Sequence, residues 1–133
     1  FLENVVTRCR SISPAARRDL LVATITVKYT QSNSVCLARD GQVIGNGAGQ
    51  QSRVHCVRLA AGKADNWYLR QHPRIPEMRF KSSVRRAARI NAIDLYLQDE
   101  ATAAELEIWK SRFVEVPPPL TSSEKREWLC GGR

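Results

Sequence analysis

The chain has 133 residues, 43% of them hydrophobic, and a formal net charge of +8. That length suits one small domain with a core and excludes a chain disordered by composition. The charge points to an acidic partner: a phosphate, a nucleotide, a folate carboxylate or a nucleic acid. The basic residues are scattered, however, with Arg17-Arg18 and Arg85-Arg86 near Arg89 the only clusters, so nucleic acid is not the expected partner. No apolar run approaches the ~20 residues of a membrane span, and no signal-peptide pattern opens the chain, so a cytosolic location and no membrane partner are expected. Cys9, Cys36, Cys56 and Cys130 lack C-x-x-C spacing, which favours reduced thiols over a zinc site or a disulfide framework. The chain begins at Phe1 rather than at methionine and reads as a piece of something longer.

From the amino end, Ser13-Pro14 reads as an N-cap followed by proline at the first helical position. A helix is predicted from Ala15 to about Tyr29. Leu20, Leu21, Val22, Ala23, Ile25 and Val27 make it apolar nearly all round, so burial on more than one face is expected. The β-branched residues late in this run leave a strand open. Next, Ser34 to Leu37 and Gln42 to Ile44 flank Asp40-Gly41, a pair suited to a type I′ hairpin turn because both central residues need positive φ. Gly45, Gly47 and Gly49 follow within five residues. They read as a segment free to take positive φ and to approach a ligand or another chain.

Ser52 is the predicted N-cap of a second helix with Val54, Val57, Ala61 and Ala64 on its apolar face and Gly62 weakening its middle. His72-Pro73 and Ile75-Pro76 break the periodicity. Further helices are predicted over 83–97, with Ile90, Ile93 and Leu97 in one stripe, and over 101–114, with Leu106, Trp109 and Phe113. Pro117 to Pro119 end the latter. Thr121 and Glu124 form a capping-box pattern for a last helix carrying Trp128 and Leu129. The second half thus reads as all-helical.

The stretch from Lys28 to Leu59 is where a site is expected, because its glycines lead into a helix start that favours negative charge. A carboxylate pair is not supported, since Glu105 and Glu107 fall on different helix faces. No lysine followed by serine or threonine trails the glycines, as a P-loop requires. The His-x-Glu and Pro-Cys-x-x-Cys of the zinc deaminases are missing. His55, beside the glycines, reads as structural. Arg53 could clamp a carboxylate or phosphate, or simply be an exposed arginine. Asn33 could pair with a heterocycle or amide, or shape a turn. Trp67, Trp109 and Trp128 read as core anchors.

VKYTQSNSVC (Val27 to Cys36), GQVIGNGAGQQSRVHC (Gly41 to Cys56) and RLAAGKADNWYLRQHP (Arg58 to Pro73) resemble the formyltransferase portion of the bifunctional enzyme that joins AICAR transformylase to IMP cyclohydrolase. Phe80-Lys81, Asn91 to Asp94, Trp109 to Pro117 and Leu120 to Trp128 continue the resemblance. It implies phosphoribosylaminoimidazolecarboxamide (AICAR) formyltransferase chemistry in purine biosynthesis. A formyl group passes from 10-formyltetrahydrofolate to the amine of AICAR, and the cyclohydrolase domain then closes the product to IMP.

The implied fold is α/β: a cytidine-deaminase-like helix-hairpin-helix portion without zinc over 1–78, then an inserted helical subdomain over 79–133, both incomplete. By matching motif, Asn33 and Arg53 would bind AICAR and the Val54 backbone would touch the folate. Val27, Thr30, Ser32 and Ser34 would hold a potassium ion, and the site would be shared across a homodimer.

The lysine and histidine that carry proton transfer in the family fall upstream of Phe1, so no catalytic residue is assigned here and the piece is expected to be inactive alone. Ala88-Arg89-Ile90 departs from a family segment nearer Glu-Ile-Ser, and the ending from Cys130 to Arg133 diverges as well. A basic nucleic-acid-binding module and a non-catalytic interaction fragment are the alternatives.

Overall fold

The structure is a computed structural model that describes residues 3–98 and 101–131. Phe1, from which the chain's start was read, and Gly132 and Arg133 of the divergent ending lie outside them. Among the described residues the protein is α/β, with five helices and one two-stranded antiparallel sheet. It forms two compact units, the first ending at Ala64 and the second starting at Asp65. No described helix is long and apolar enough to cross a membrane.

The first unit begins with α1 (Pro14–Lys28), and Ser13 caps it as expected, its hydroxyl accepting the Ala16 N–H at 3.1 Å. Strand β1 (Ser34–Arg39) and strand β2 (Gln42–Ala48) follow, then α2 (Arg53–Leu69). Asp40 and Gly41 both take positive φ, at 54° and 78°, as the predicted turn requires. The Asp19 carboxylate of α1 fixes that turn by accepting the N–H groups of Asp40 at 3.1 Å and Gly41 at 2.7 Å.

The hairpin is longer than predicted and carries a bulge. Arg39 faces Gln42 and Ala38 faces Val43, but Leu37 faces Gly45, so Ile44 is an extra residue on β2. Past the bulge, Cys36 pairs with Asn46 on the α1 side, where Thr26 hydrogen-bonds the Cys36 thiol. Gly45 and Gly47 point the other way, against α2. The helices therefore cover opposite faces of the hairpin, giving three layers.

Two expectations change here. Gly45 and Gly47 are buried strand residues with no positive φ; among these three glycines only Gly49, at 67°, adopts one. A Cβ at Gly45 would lie 2.1 Å from the Ala60 carbonyl oxygen, and one at Gly47 2.1 Å from that of Cys56. These glycines bring strand and helix backbones together. The buried face of α2 is accordingly Cys56, Ala60 and Ala64, while Val54 and Val57 are 58% and 52% exposed. The second change concerns α1, which has no fully buried residue. Only the stripe Asp19, Val22, Ala23, Thr26 and Val27 is half-buried, and Ile25 and Tyr29 are 50% and 78% exposed. A two-stranded sheet covers only one side of a helix.

The second unit contains α3 (Arg86–Leu97), α4 (Ala103–Lys110) and α5 (Ser122–Gly131). Its core is Leu69, Ile75, Ala92, Tyr96, Leu97, Trp109, Phe113 and Leu120. Burial on α3 falls on Ala92, Tyr96 and Leu97, while Ile90 is exposed and Ile93 half-buried. Helix α4 is shorter than predicted. It starts at a capping box formed by Thr102 and Glu105, and Phe113 is buried beyond its end, bridged to Phe80. Trp109 is a buried anchor, its indole N–H donating to the Ala92 carbonyl at 2.8 Å, and half-buried Trp128 donates to the Tyr68 carbonyl at 2.9 Å.

The predicted capping box of α5 is formed. Glu124 accepts the Thr121 N–H and hydroxyl at 2.8 Å each, Thr121 Oγ1 accepts the Glu124 N–H at 3.3 Å, and Arg74 pairs with the same carboxylate.

Gly47→Ala is expected to destabilise the fold by about 1–3 kcal/mol, because the backbone carbonyl its Cβ meets cannot swing away. Gly62→Ala, at a helical position with nothing within 4 Å of the added Cβ, should instead stabilise by about 1 kcal/mol. Urea denaturation followed by circular dichroism reads both signs. A second expectation concerns Glu124, whose pKa is held down to about 2 by the Thr121 N–H and hydroxyl and by Arg74. A carboxylate with a depressed folded-state pKa stabilises above its ordinary value and loses that contribution as pH falls towards about 2. Thermal melts across that window should show an acid-dependent loss that Glu124→Gln removes.

Candidate functional site

The predicted site residues lie at one end of the first unit's three layers, where α1 ends, β1 begins and β2 passes into α2. The C-terminal end of α1 carries carbonyls without onward helical partners and the negative end of the helix dipole. Thr30 sits on that end. Its N–H and hydroxyl both donate to the Val27 carbonyl, at 3.4 and 3.3 Å. Ser32 and Ser34 follow within four residues, Ser32 exposed and Ser34 half-buried at the start of β1. The peptide between Ser32 and Asn33 is cis.

Asn33 ties this segment to the loop before α2. Its side-chain amide donates to the Gln50 and Gln51 carbonyls, both at 3.5 Å. Its own carbonyl accepts the thiol of buried Cys56 at 3.0 Å. One residue earlier than Ser32, the Gln31 carbonyl accepts the Gly49 N–H at 2.9 Å. The positive φ of Gly49 is needed there, where the chain leaves the sheet and turns towards α2.

Ser52 caps α2 as predicted: its hydroxyl accepts the His55 N–H at 3.2 Å and its carbonyl the Cys56 N–H at 3.1 Å. Arg53 and Val54 are the first residues of the helix and both are exposed. The first turn of α2 holds no acidic residue, so the dipole and the Arg53 charge act together in favour of an anion. His55 is exposed beside them.

The fold therefore brings Asn33 to within two or three residues of Arg53, through the carbonyls of Gln50 and Gln51, and places the Val27 carbonyl and the Thr30 hydroxyl at the same end. Cys56, Gln50 and Gln51 carried no site role in the sequence reading, yet they hold Asn33 in place. The signal available was the small-residue spacing Cys56, Ala60, Ala64, complementary to Gly45 and Gly47. On the other face of the hairpin, burial pushes the Cys36 thiol pKa up, a shift that the Thr26 hydrogen bond partly opposes.

Comparison with known proteins bears on this same region. The family model for the AICARFT/IMPCHase bienzyme matches residues 2–63. The bifunctional purine biosynthesis protein PurH of Xylella fastidiosa (strain M12) is 49% identical over 53 residues, which are 40% of this chain and 10% of that protein. The protein of the same name from Mesorhizobium japonicum is 44% identical over 63 residues, 47% of this chain and 12% of the relative. The chain thus spans about a tenth of the length of the curated relatives it matches. The family match stops at residue 63, so the motifs from Phe80 to Trp128 rest on the resemblance alone. Over residues 2–63, which hold Asn33, Arg53 and every other candidate site residue, the chain is similar to the AICARFT/IMPCHase bienzyme family.

Proposed function

We propose that this end of the first unit is part of the site of an AICAR formyltransferase of purine biosynthesis, a cytosolic activity that moves a formyl group from 10-formyltetrahydrofolate to AICAR. The observation that carries the reading is the pairing of Asn33 with the loop that leads into Arg53, within the residues similar to the bienzyme family. With its NH2 group held by the Gln50 and Gln51 carbonyls, Asn33 can offer its side-chain oxygen as acceptor to the heterocycle's carboxamide. Arg53, at a helix start free of acidic residues, supplies charge for the ligand's phosphate. Val54 follows Arg53 on the exposed side of α2 and would offer its backbone to the folate.

The oxygens at the end of α1 fit a large hard cation: Val27 O and Thr30 Oγ1 are already 3.3 Å apart. Val27, Thr30, Ser32 and Ser34 would hold potassium, which supplies a fixed positive charge that orders the segment leading to Asn33.

In this reading the three layers belong to a cytidine-deaminase-like fold without zinc, residues 1–78 within it and 79–133 in a helical insert. A homodimer completes the site. In it, these residues bind and orient the ligands and carry no proton-transfer role.

Isothermal titration of the chain with AICAR in potassium buffer tests the assignment. Removing one charge-assisted contact costs about 1.5–3 kcal/mol, so Arg53→Ala should weaken binding roughly tenfold or more, and Asn33→Ala should weaken it by a smaller factor. Binding that is unaltered in both variants would refute the site.

A further inference from the structure

The second unit holds a charged surface that the formyltransferase reading does not use. No acidic residue occurs between Glu77 and Asp94, while Arg79, Lys81, Arg85, Arg86 and Arg89 all fall there. Folding adds Arg112 to this group. The Arg112 carbonyl accepts the Lys81 N–H at 3.0 Å, and its guanidinium donates to the Ala88 carbonyl of α3 at 3.2 Å. Arg89 is held in the same manner, with Nε donating to the Val84 carbonyl at 2.9 Å and Cζ 5.6 Å from the centre of the Phe80 ring.

The anchors of Arg89 and Arg112 are thus carbonyls and a ring, which position a guanidinium without neutralising it. Arg79 has Glu115 at 3.5 Å, but among the described residues Lys81, Arg85, Arg86, Arg89 and Arg112 have no carboxylate in an ion pair. Arg85 occupies the N-cap of α3 with no side-chain cap, and the first turn holds no acid, so the helix end adds to the same potential.

We infer that the face formed by Lys81, Arg85, Arg86, Arg89 and Arg112 binds the phosphate backbone of a nucleic acid. The cations lie along an extended segment, a helix start and the turn after α4 rather than converging on one point, which suits a row of phosphates better than a single anion. Planar guanidinium groups match phosphate oxygens in pairs. The Phe80 ring already lies between Arg89 and Phe113, whose ring centre is 4.6 Å away, so it is not offered for base stacking. Recognition is therefore by charge and indifferent to sequence. The scatter of basic residues along the sequence had argued against such a partner, but the pairing of Lys81 with Arg112 and of Arg112 with the Ala88 carbonyl brings a further arginine beside the basic run 81–89.

Fluorescence anisotropy of the full chain with a labelled oligothymidylate, repeated over a salt series, tests the inference. With about four or five phosphate contacts, the log of the binding constant should fall with log salt at a slope of roughly −3. Arg85→Glu with Arg86→Glu should weaken binding at least about tenfold and flatten the slope by one unit or more. Lys81→Gln, a milder surface change, should flatten it by about one unit or less. Arg8→Glu with Arg10→Glu, both in the first unit, alters net charge equally and should leave the slope in place. Equal losses in the two double variants would reduce the effect to net charge and overturn the assignment. Tighter binding of polyglutamate than of the oligonucleotide would overturn it too, in favour of an acidic protein.

Discussion

The close approach of β2 to α2 is the constraint on which the first unit depends. Without side chains, Gly45 and Gly47 let a strand backbone rest on the carbonyls of Ala60 and Cys56, a distance no other residue permits without displacement. That approach sets the Cys56 thiol within reach of the Asn33 carbonyl, and it brings the start of α2 back beside the segment that leads into β1. The candidate site is a by-product of this packing. Its polar residues are held by backbone carbonyls and a buried thiol, and the exposed Arg53 is aimed by the helix that carries it.

The second unit is stabilised differently, by a core of large apolar side chains whose few polar atoms each find a carbonyl. Tyr96 donates to Pro118 at 2.7 Å, Trp109 to Ala92 at 2.8 Å and the buried Lys125 ammonium to Leu97 at 2.9 Å. Such pairing lets aromatic rings and a lysine stem contribute apolar surface without leaving a buried donor unsatisfied. In the first unit the buried side-chain oxygen of Asn46 has no partner. An acceptor left in that state works against stability, in a unit whose buried side chains are small.

Local chemistry was legible in the sequence. The cap at Ser13, the positive-φ pair Asp40-Gly41, the cap at Ser52 and the box at Thr121 and Glu124 depend on residues a few positions apart, and each appears where the residue types place it. What escaped was orientation. Val54 and Val57 were read inward because they are apolar, whereas the glycines opposite select the small residues Cys56, Ala60 and Ala64 instead. The apolar periphery of α1 likewise implied neighbours on more than one side, and the hairpin provides one. Asn33 and Arg53 were legible as motif residues, but their closeness depends on the bulge, the Gly49 turn and the Cys56 thiol, none of which periodicity encodes. The gathering of Lys81 and Arg112 beside α3 is equally a product of tertiary pairing, through the bridge between Phe80 and Phe113.

The bulge at Ile44 reconciles the two-residue turn with the glycines' orientation, which this sequence, with Ile44 in place, could not do in a regular ladder. A two-residue turn that pairs Arg39 with Gln42 would, without an extra residue, set Gly45 opposite Cys36 and Gly47 opposite Ser34. The glycines would then face α1, and Ile44 and Asn46 would be driven into the backbone of α2. The extra residue reverses that assignment for the rest of the strand. Length variation along this hairpin is consequently unequal: loss of Ile44 would restore a regular ladder with the glycines still towards α2, whereas a single insertion or deletion between Gly45 and Gly47 would place the wrong side chain against the helix. A gap of one residue is thus neutral or disabling according to where in these few positions it falls.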